Sequence, residues 1–134
     1  MKKIGIICPG QGAQAVGMGS DLIKTYDIAK KRFKEADEAL GFSISKLCFE
    51  GPAEELKLTA NTQPAILTIS VILGELLNEN GIEFAVGGGH SLGEYSALVL
   101  ANVIDFKDAV ALVHKRGEFM QEAVPVGKGG MAAI

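Results

Sequence analysis

A chain of 134 residues is enough for one domain, and 48% hydrophobic with 22% charged residues is the balance of a globular protein with a buried core. A formal net charge of −3 excludes the basic footprint of a nucleic-acid-binding domain, so a phosphate-bearing ligand would need a local cationic patch. The apolar run behind Met1-Lys2-Lys3 is too short for a signal peptide, no run approaches the roughly 20 apolar residues of a membrane span, and the chain therefore reads as cytoplasmic.

Ile4 to Cys8 reads as a short buried strand, ended by Pro9-Gly10. A glycine-rich loop follows, then a helix around residues 19–25. Asp27 is placed to cap a helix over 28–40, with Ala29, Phe33, Ala36 and Leu40 on its apolar stripe and Gly41 as its stop. Lys30, Lys31, Lys34 and Glu35 form the solvated face of that helix. Pro52 opens a short helical piece over 53–58, and Pro64 sits at the first turn of a long helix reaching about 79. That helix is apolar nearly all round, which places it at the centre of the fold.

Residues 83–87 form a second strand and 92–100 a helix. Asp105 with Asp108 forms an acidic capping box for a last helix through about 123, which Pro125 ends. Strands alternating with helices predict an α/β fold with a largely parallel sheet. The last residues, Gly130 to Ile134, read as the start of a third strand, and the chain reads as truncated there. Cys8 and Cys48 lack metal spacing, and Cys8 ends a strand as a small buried hydrophobe, so neither a metal site nor a disulfide is expected.

The residues with chemistry centre on Gly89-His90-Ser91-Leu92-Gly93-Glu94. This is G-x-S-x-G between a strand and a helix, the setting of a serine nucleophile lifted clear of the sheet at a helix N-terminus. A capping serine in a tight turn is the plainer alternative. Activation of a serine near neutral pH needs a base within hydrogen-bond reach. His90, adjacent on the turn, suits packing or hydrogen bonding, and His114 suits a satisfied position on the last helix, so the base is missing. Ala109, Leu112, Val113, Arg116 and Met120 share a stripe expected to face inward, where a guanidinium must be paired. The pattern leaves open a structural ion pair or a dock for a substrate carboxylate, which arginine can hold through two bonds. Gly10, Gly12, Gly17 and Gly19 fit neither nucleotide-loop spacing, and the loop better suits the carboxyl edge of the sheet. A backbone N–H near Gln11 would there supply an oxyanion donor.

Pro9-Gly10-Gln11-Gly12-Ala13-Gln14, Gly51-Pro52-Ala53-Glu54-Glu55-Leu56, Thr62-Gln63-Pro64-Ala65, Gly89-His90-Ser91-Leu92-Gly93-Glu94-Tyr95-Ser96-Ala97-Leu98 and Arg116-Gly117 occur in this order. Together they resemble the malonyl-CoA:acyl carrier protein transacylase family over essentially the whole chain. The resemblance implies an α/β-hydrolase-like core over 1–128, with 129–134 as the first strand of a ferredoxin-like small subdomain that begins near Gly130. It implies Ser91 as the acyl-carrying nucleophile, backbone N–H groups of Gln11 and Leu92 as the oxyanion hole, and Arg116 as partner of the malonyl carboxylate. Gln63 and His90 would lie at the substrate site.

By the same resemblance the substrates are malonyl-CoA and the phosphopantetheine thiol of acyl carrier protein, and coenzyme A enters as a thioester substrate with no cofactor or metal. The family's catalytic histidine lies downstream, in sequence this chain does not contain, so the chain reads as an incomplete N-terminal part, inactive alone and completed by further sequence or a separate chain. Gly88 departs from the alanine common in the family, which implies a looser turn. A serine esterase or thioesterase would share the serine turn without needing Arg116. A non-catalytic fragment that binds acyl carrier protein or a complementing chain is the third reading. No nucleic-acid or membrane partner is expected.

Overall fold

A computed structural model describes residues 3–129, in the order β1 (Ile4–Cys8), α1 (Leu22–Thr25), α2 (Asp27–Leu40), α3 (Ile44–Glu50), α4 (Ala53–Leu56), α5 (Thr59–Glu79), β2 (Phe84–Gly89), α6 (Gly93–Leu100) and α7 (Phe106–Ala123). The expected third strand at Gly130 to Ile134, and the subdomain expected to start there, lie outside the described residues. β1 and β2 pair in parallel, Gly5 opposite Val86 and Cys8 opposite Gly89, as the alternation of strands and helices requires. The fold is mixed α/β with a parallel sheet.

α5 is the hub. Buried along it are Ala65, Ile66, Leu67, Val71 and Ile72, and α2, α3, α4, α6 and α7 all pack against it. By length and hydropathy alone α5 would cross a membrane, contrary to the expectation that no run approaches that length. Yet 72% of its most apolar window is buried inside the fold, so it is a core helix. Pro64 lies one turn deeper than expected, because α5 begins at Thr59. A proline there removes the N–H that would bond the Ala60 carbonyl, and α7 supplies a substitute, described below.

α2 buries Ala29, Phe33 and Ala36, and ends at Gly41 in the left-handed region, φ 75°. Its N-cap is Tyr26 rather than Asp27; Asp27 is the first helical residue, where its carboxylate faces the helix dipole and accepts from Lys30 Nζ at 2.8 Å. Arg32 on α2 bonds Glu75 on α5 and Glu35 on its own helix, and packs 4.8 Å from the Phe106 ring centroid, tying α2, α5 and α7 together. α3, unanticipated from sequence, is capped by the Ser43 hydroxyl, while Asp37 accepts from the Ser45 N–H at 2.9 Å. Asp105 caps α7 as expected, its side chain accepting from the N–H groups of Lys107 and Asp108.

The inward face of α7 is Phe106, Ala109, Val110, Val113 and Gly117. This corrects the expected stripe: Leu112 is exposed, and Arg116 and Met120 are half-buried at the edge. The buried positions follow the i, i+3, i+4, i+7 rule one step round from the stripe read off sequence.

β1 is also corrected. Of its residues Cys8 is buried and Ile6 half-buried, while Ile7 is 85% exposed and Val86 of β2 is 65% exposed. α6 packs on the sheet, with the site of a Gly87 side chain within 3.5 Å of Ala97 Cβ, and among the described residues nothing covers the opposite face. Bare apolar strands of this kind recruit other surfaces. The isolated chain is therefore expected to self-associate in light scattering, and the Ile7→Lys, Val86→Lys double variant to reduce that association; a monodisperse parent would contradict the expectation.

α7 meets α5 most closely at Gly117, where an added Cβ would lie 2.5 Å from Ala60 Cα and 2.6 Å from the Thr59 carbonyl oxygen. Backbone cannot yield as a flexible side chain can. Gly117→Ala should therefore lower unfolding free energy by about 1–3 kcal/mol in denaturant titration, as overpacking does.

Candidate active site

The turn between β2 and α6 is built from backbone on backbone. A Cβ on Gly89 would lie 1.9 Å from the Gly93 carbonyl carbon, and one on Gly93 would lie 2.3 Å from the Cys8 carbonyl oxygen. Only glycine admits that approach. The Gly93 N–H donates to the His90 carbonyl at 2.9 Å, and the His90 N–H donates to the Cys8 carbonyl at 3.1 Å, so the turn is stitched to the end of β1. Gly88 has open space at its Cβ position, so an alanine would fit there without a clash. Ser91 is held at φ 53°, in the left-handed region, which is a strained conformation for a non-glycine residue and leaves the side chain exposed.

Arg116 reaches this serine from α7. Its Nη2 donates to Ser91 Oγ at 3.1 Å and its Nη1 to Gln63 Oε1 at 2.7 Å. Its guanidinium carbon lies 5.7 Å from the Tyr95 ring centroid, one turn beyond Ser91 on α6. Gln63, buried on α5, also donates from Nε2 to Met120 Sδ at 3.3 Å. Three elements far apart in sequence thus place Ser91, Gln63 and Arg116 together. Arg116 has no carboxylate partner among its contacts, so the structural ion pair left open from the sequence is not formed among the described residues.

The loop bearing Gln11 packs on the turn through Gly10, whose Cβ position is 2.7 Å from the His90 carbonyl oxygen. The Gln11 side chain donates to Thr59 Oγ1 at 3.3 Å. The backbone N–H groups of Gln11 and Leu92 meet no acceptor among the described residues.

His90 Nδ1 lies 2.6 Å from the Gly10 Cβ position, over the β1 loop. His114 Nδ1 is 2.8 Å from the Ala60 carbonyl. Neither histidine bonds Ser91, whose hydroxyl contact among the described residues is Arg116. Burial pushes the Cys8 thiol up, and burial with the nearby Asp37 charge pushes the Cys48 thiol up to about 12. Both cysteines are free and neither is a ready thiolate nucleophile.

An open groove of about 770 Å³ adjoins the site, lined by Gln11, Thr59, Met120, Gln121 and Val126 among others. Tyr95, Thr59, Met120 and Gln121 carried no functional reading from sequence. Tyr95 had a signal, its place one helical turn after Ser91; the others reveal themselves only when α5 and α7 are packed.

Residues 6–134 match the model of the acyl transferase domain. The chain belongs to the acyl transferase domain family. It is 57% identical over its whole length to a malonyl CoA-acyl carrier protein transacylase of Bacillus subtilis (strain 168), of which it spans 42%. It is also similar to the crystal structure of an acyl carrier protein S-malonyltransferase from Vibrio cholerae, at 52% identity and a TM-score of 0.88, over 94% of this chain and 42% of that one. A malonyl-transacylase solved in complex with a type II PKS acyl-carrier protein matches with a TM-score of 0.88 at 46% identity, over 92% of this chain and 40% of that one. The chain thus spans less than half the length of these relatives.

The turn of this acyl transferase domain carries strain that glycine would relieve. A left-handed residue with a Cβ costs about 1–2 kcal/mol, part of which glycine returns through the freedom of the unfolded chain. Ser91→Gly should therefore raise stability by about 1 kcal/mol in denaturant titration while removing the hydroxyl; a destabilised variant would show that the serine side chain serves the fold.

Proposed function

We propose that Ser91, Arg116 and the free N–H groups of Gln11 and Leu92 form the acyl-carrying part of a malonyl transferase, which moves malonyl from coenzyme A to the phosphopantetheine thiol of acyl carrier protein. The observation that carries this reading is the guanidinium held 3.1 Å from the serine oxygen. In malonyl the free carboxylate is one methylene away from the thioester carbonyl. An arginine that close to the nucleophile can therefore hold the carboxylate while the carbonyl meets Ser91.

Ser91 Oγ attacks the thioester carbonyl, and its proton passes to a base. The negative oxygen of the tetrahedral intermediate is held by the two N–H groups. The carbon–sulfur bond breaks, coenzyme A leaves as its thiol, and malonyl remains as an ester on Ser91. The carrier thiol then attacks that ester, the carbon–oxygen bond breaks, and the hydroxyl is regenerated, which is a ping-pong course. Gln63 orients the guanidinium, and His90 lines the turn. The base is absent from the hydrogen bonds of Ser91 among the described residues, and we assign it to the portion of the relatives' length that this chain does not span.

The strand, strained serine turn and helix support an α/β-hydrolase-like core, and the substrates need no metal or redox cofactor in this scheme. A cytoplasmic location, as expected from the sequence, is part of this reading.

The test uses this chain completed with the remaining portion of the Bacillus subtilis relative. Losing a charge-assisted contact of about 1.5–3 kcal/mol, Arg116→Ala should lower the preference for malonyl-CoA over acetyl-CoA about 10- to 100-fold in kcat/KM while retaining acyl transfer. An unchanged donor ratio would remove Arg116 from the carboxylate site. Release of malonate to water in preference to a thiol acceptor would favour a thioesterase instead.

A further inference from the structure

Pro64 has no N–H, so the Ala60 carbonyl one turn earlier in α5 has no partner of its own within the helix. Ala60 lies in the first turn, where its own N–H is also beyond the reach of any helical carbonyl. α7 satisfies both groups of this one residue. His114 Nδ1 sits 2.8 Å from the Ala60 oxygen, and Gln121 Oε1 accepts from the Ala60 N–H at 2.6 Å. Between them Gly117 lets the two backbones touch. His114, Gly117 and Gln121 fall on successive turns of one α7 face.

The carbonyl can only accept, so His114 carries its proton on Nδ1 and donates. Its ring is further fixed by Phe42, with centroids 5.4 Å apart, and its Nε2 faces Glu118 Oε1 at 3.6 Å. Gln63 stands one residue before Pro64 and three after Ala60, and Arg116 stands two after His114. The alignment of these two helices therefore sets the 2.7 Å bond that orients the guanidinium toward Ser91.

We infer that His114 is a positioning residue for carboxylate selectivity: by donating to the carbonyl that Pro64 orphans, it holds the register of α5 against α7 and with it the Gln63–Arg116 pair. The inference rests on the reading of Arg116 as the carboxylate clamp. It makes an apparently idle histidine and a helix-interior proline parts of one device. His114 touches no reacting atom; its effect passes through Arg116.

The test again uses the chain completed with the remainder of the Bacillus subtilis relative, with kcat and KM measured for malonyl-CoA and acetyl-CoA. His114→Phe keeps the ring and loses the donor. A misplaced clamp predicts about a tenfold fall in kcat/KM for malonyl, mainly through KM, with acetyl changed less than about twofold. His114→Asn, whose amide nitrogen can stand near the Nδ1 position, should recover most of the ratio. Pro64→Ala gives the Ala60 carbonyl a helical donor, so adding it to His114→Phe should also restore the ratio. If His114→Phe does not fold, Gln121→Met removes the other bond to Ala60 and should show the same donor-dependent loss.

A lower melting temperature with an unchanged malonyl-to-acetyl ratio would overturn the inference and leave His114 a structural residue. Arg116→Ala, run alongside, separates the two readings. If it shifts the ratio and His114→Phe does not, the clamp stands and the positioning role falls. If neither shifts it, the clamp reading falls and the positioning role falls with it.

Discussion

Everything at the site depends on the contact of Gly89 and Gly93 with each other and with the end of β1. The approach is so close that an added methyl on Gly89 would lie 1.9 Å from a carbonyl carbon. That contact bends the chain from strand into helix within three residues and forces Ser91 to φ 53°. It also leaves the Leu92 N–H at the start of α6 without an acceptor among the described residues. The exposed Ser91 and the unpaired Leu92 N–H are thus produced by one packing constraint, and these are the groups proposed above as nucleophile and oxyanion donor. The strain is local and is offset by the burial of Leu92 and Val99 beside it.

The second half of the arrangement comes from the packing of α5 on α7. Gln63 and Arg116 are 53 positions apart, yet form a 2.7 Å bond because Gly117 admits α7 against the first turn of α5. At this half-buried edge the planar donors of Arg116 are held by Gln63 and the Tyr95 face. On the proposed reading this is preorganisation: the guanidinium is oriented within the protein, so less ordering would remain to be done on binding a carboxylate.

The local features of this structure were legible in the sequence. G-x-S-x-G between a strand and a helix, Gly41 as the stop of α2 and Asp105 as the cap of α7 are each decided by a few neighbouring residues. What depended on packing was less accessible. The α7 stripe was read one step round, because Leu112 and Arg116 are as compatible with a helical period as Val110 and Gly117; which face turns inward is settled by the fit of Gly117 on Ala60. α3 was missed because seven residues after a Gly-Phe-Ser turn give too short a periodicity to register. β1 was read as buried from its isoleucines, but hydrophobicity reports what a strand can bury and not what covers it. Pro64 pointed to the first turn by general preference, and at its actual depth the Ala60 carbonyl it leaves without a helical donor meets His114 Nδ1 from another helix. Gln63 and Arg116 each drew attention, Arg116 from its stripe and Gln63 from the family resemblance, but their bond to each other is a tertiary fact.

The most direct test of the central claim is to incubate the chain, completed with the remaining portion of the Bacillus subtilis relative, with malonyl-CoA and to map the acyl adduct by intact-protein and peptide mass spectrometry. The account predicts a single malonyl group on Ser91, lost in Ser91→Ala and discharged by a phosphopantetheine thiol. The 134-residue chain alone, in which neither histidine bonds Ser91, should label far more slowly. A malonyl adduct on another residue, or labelling that survives Ser91→Ala, would contradict it.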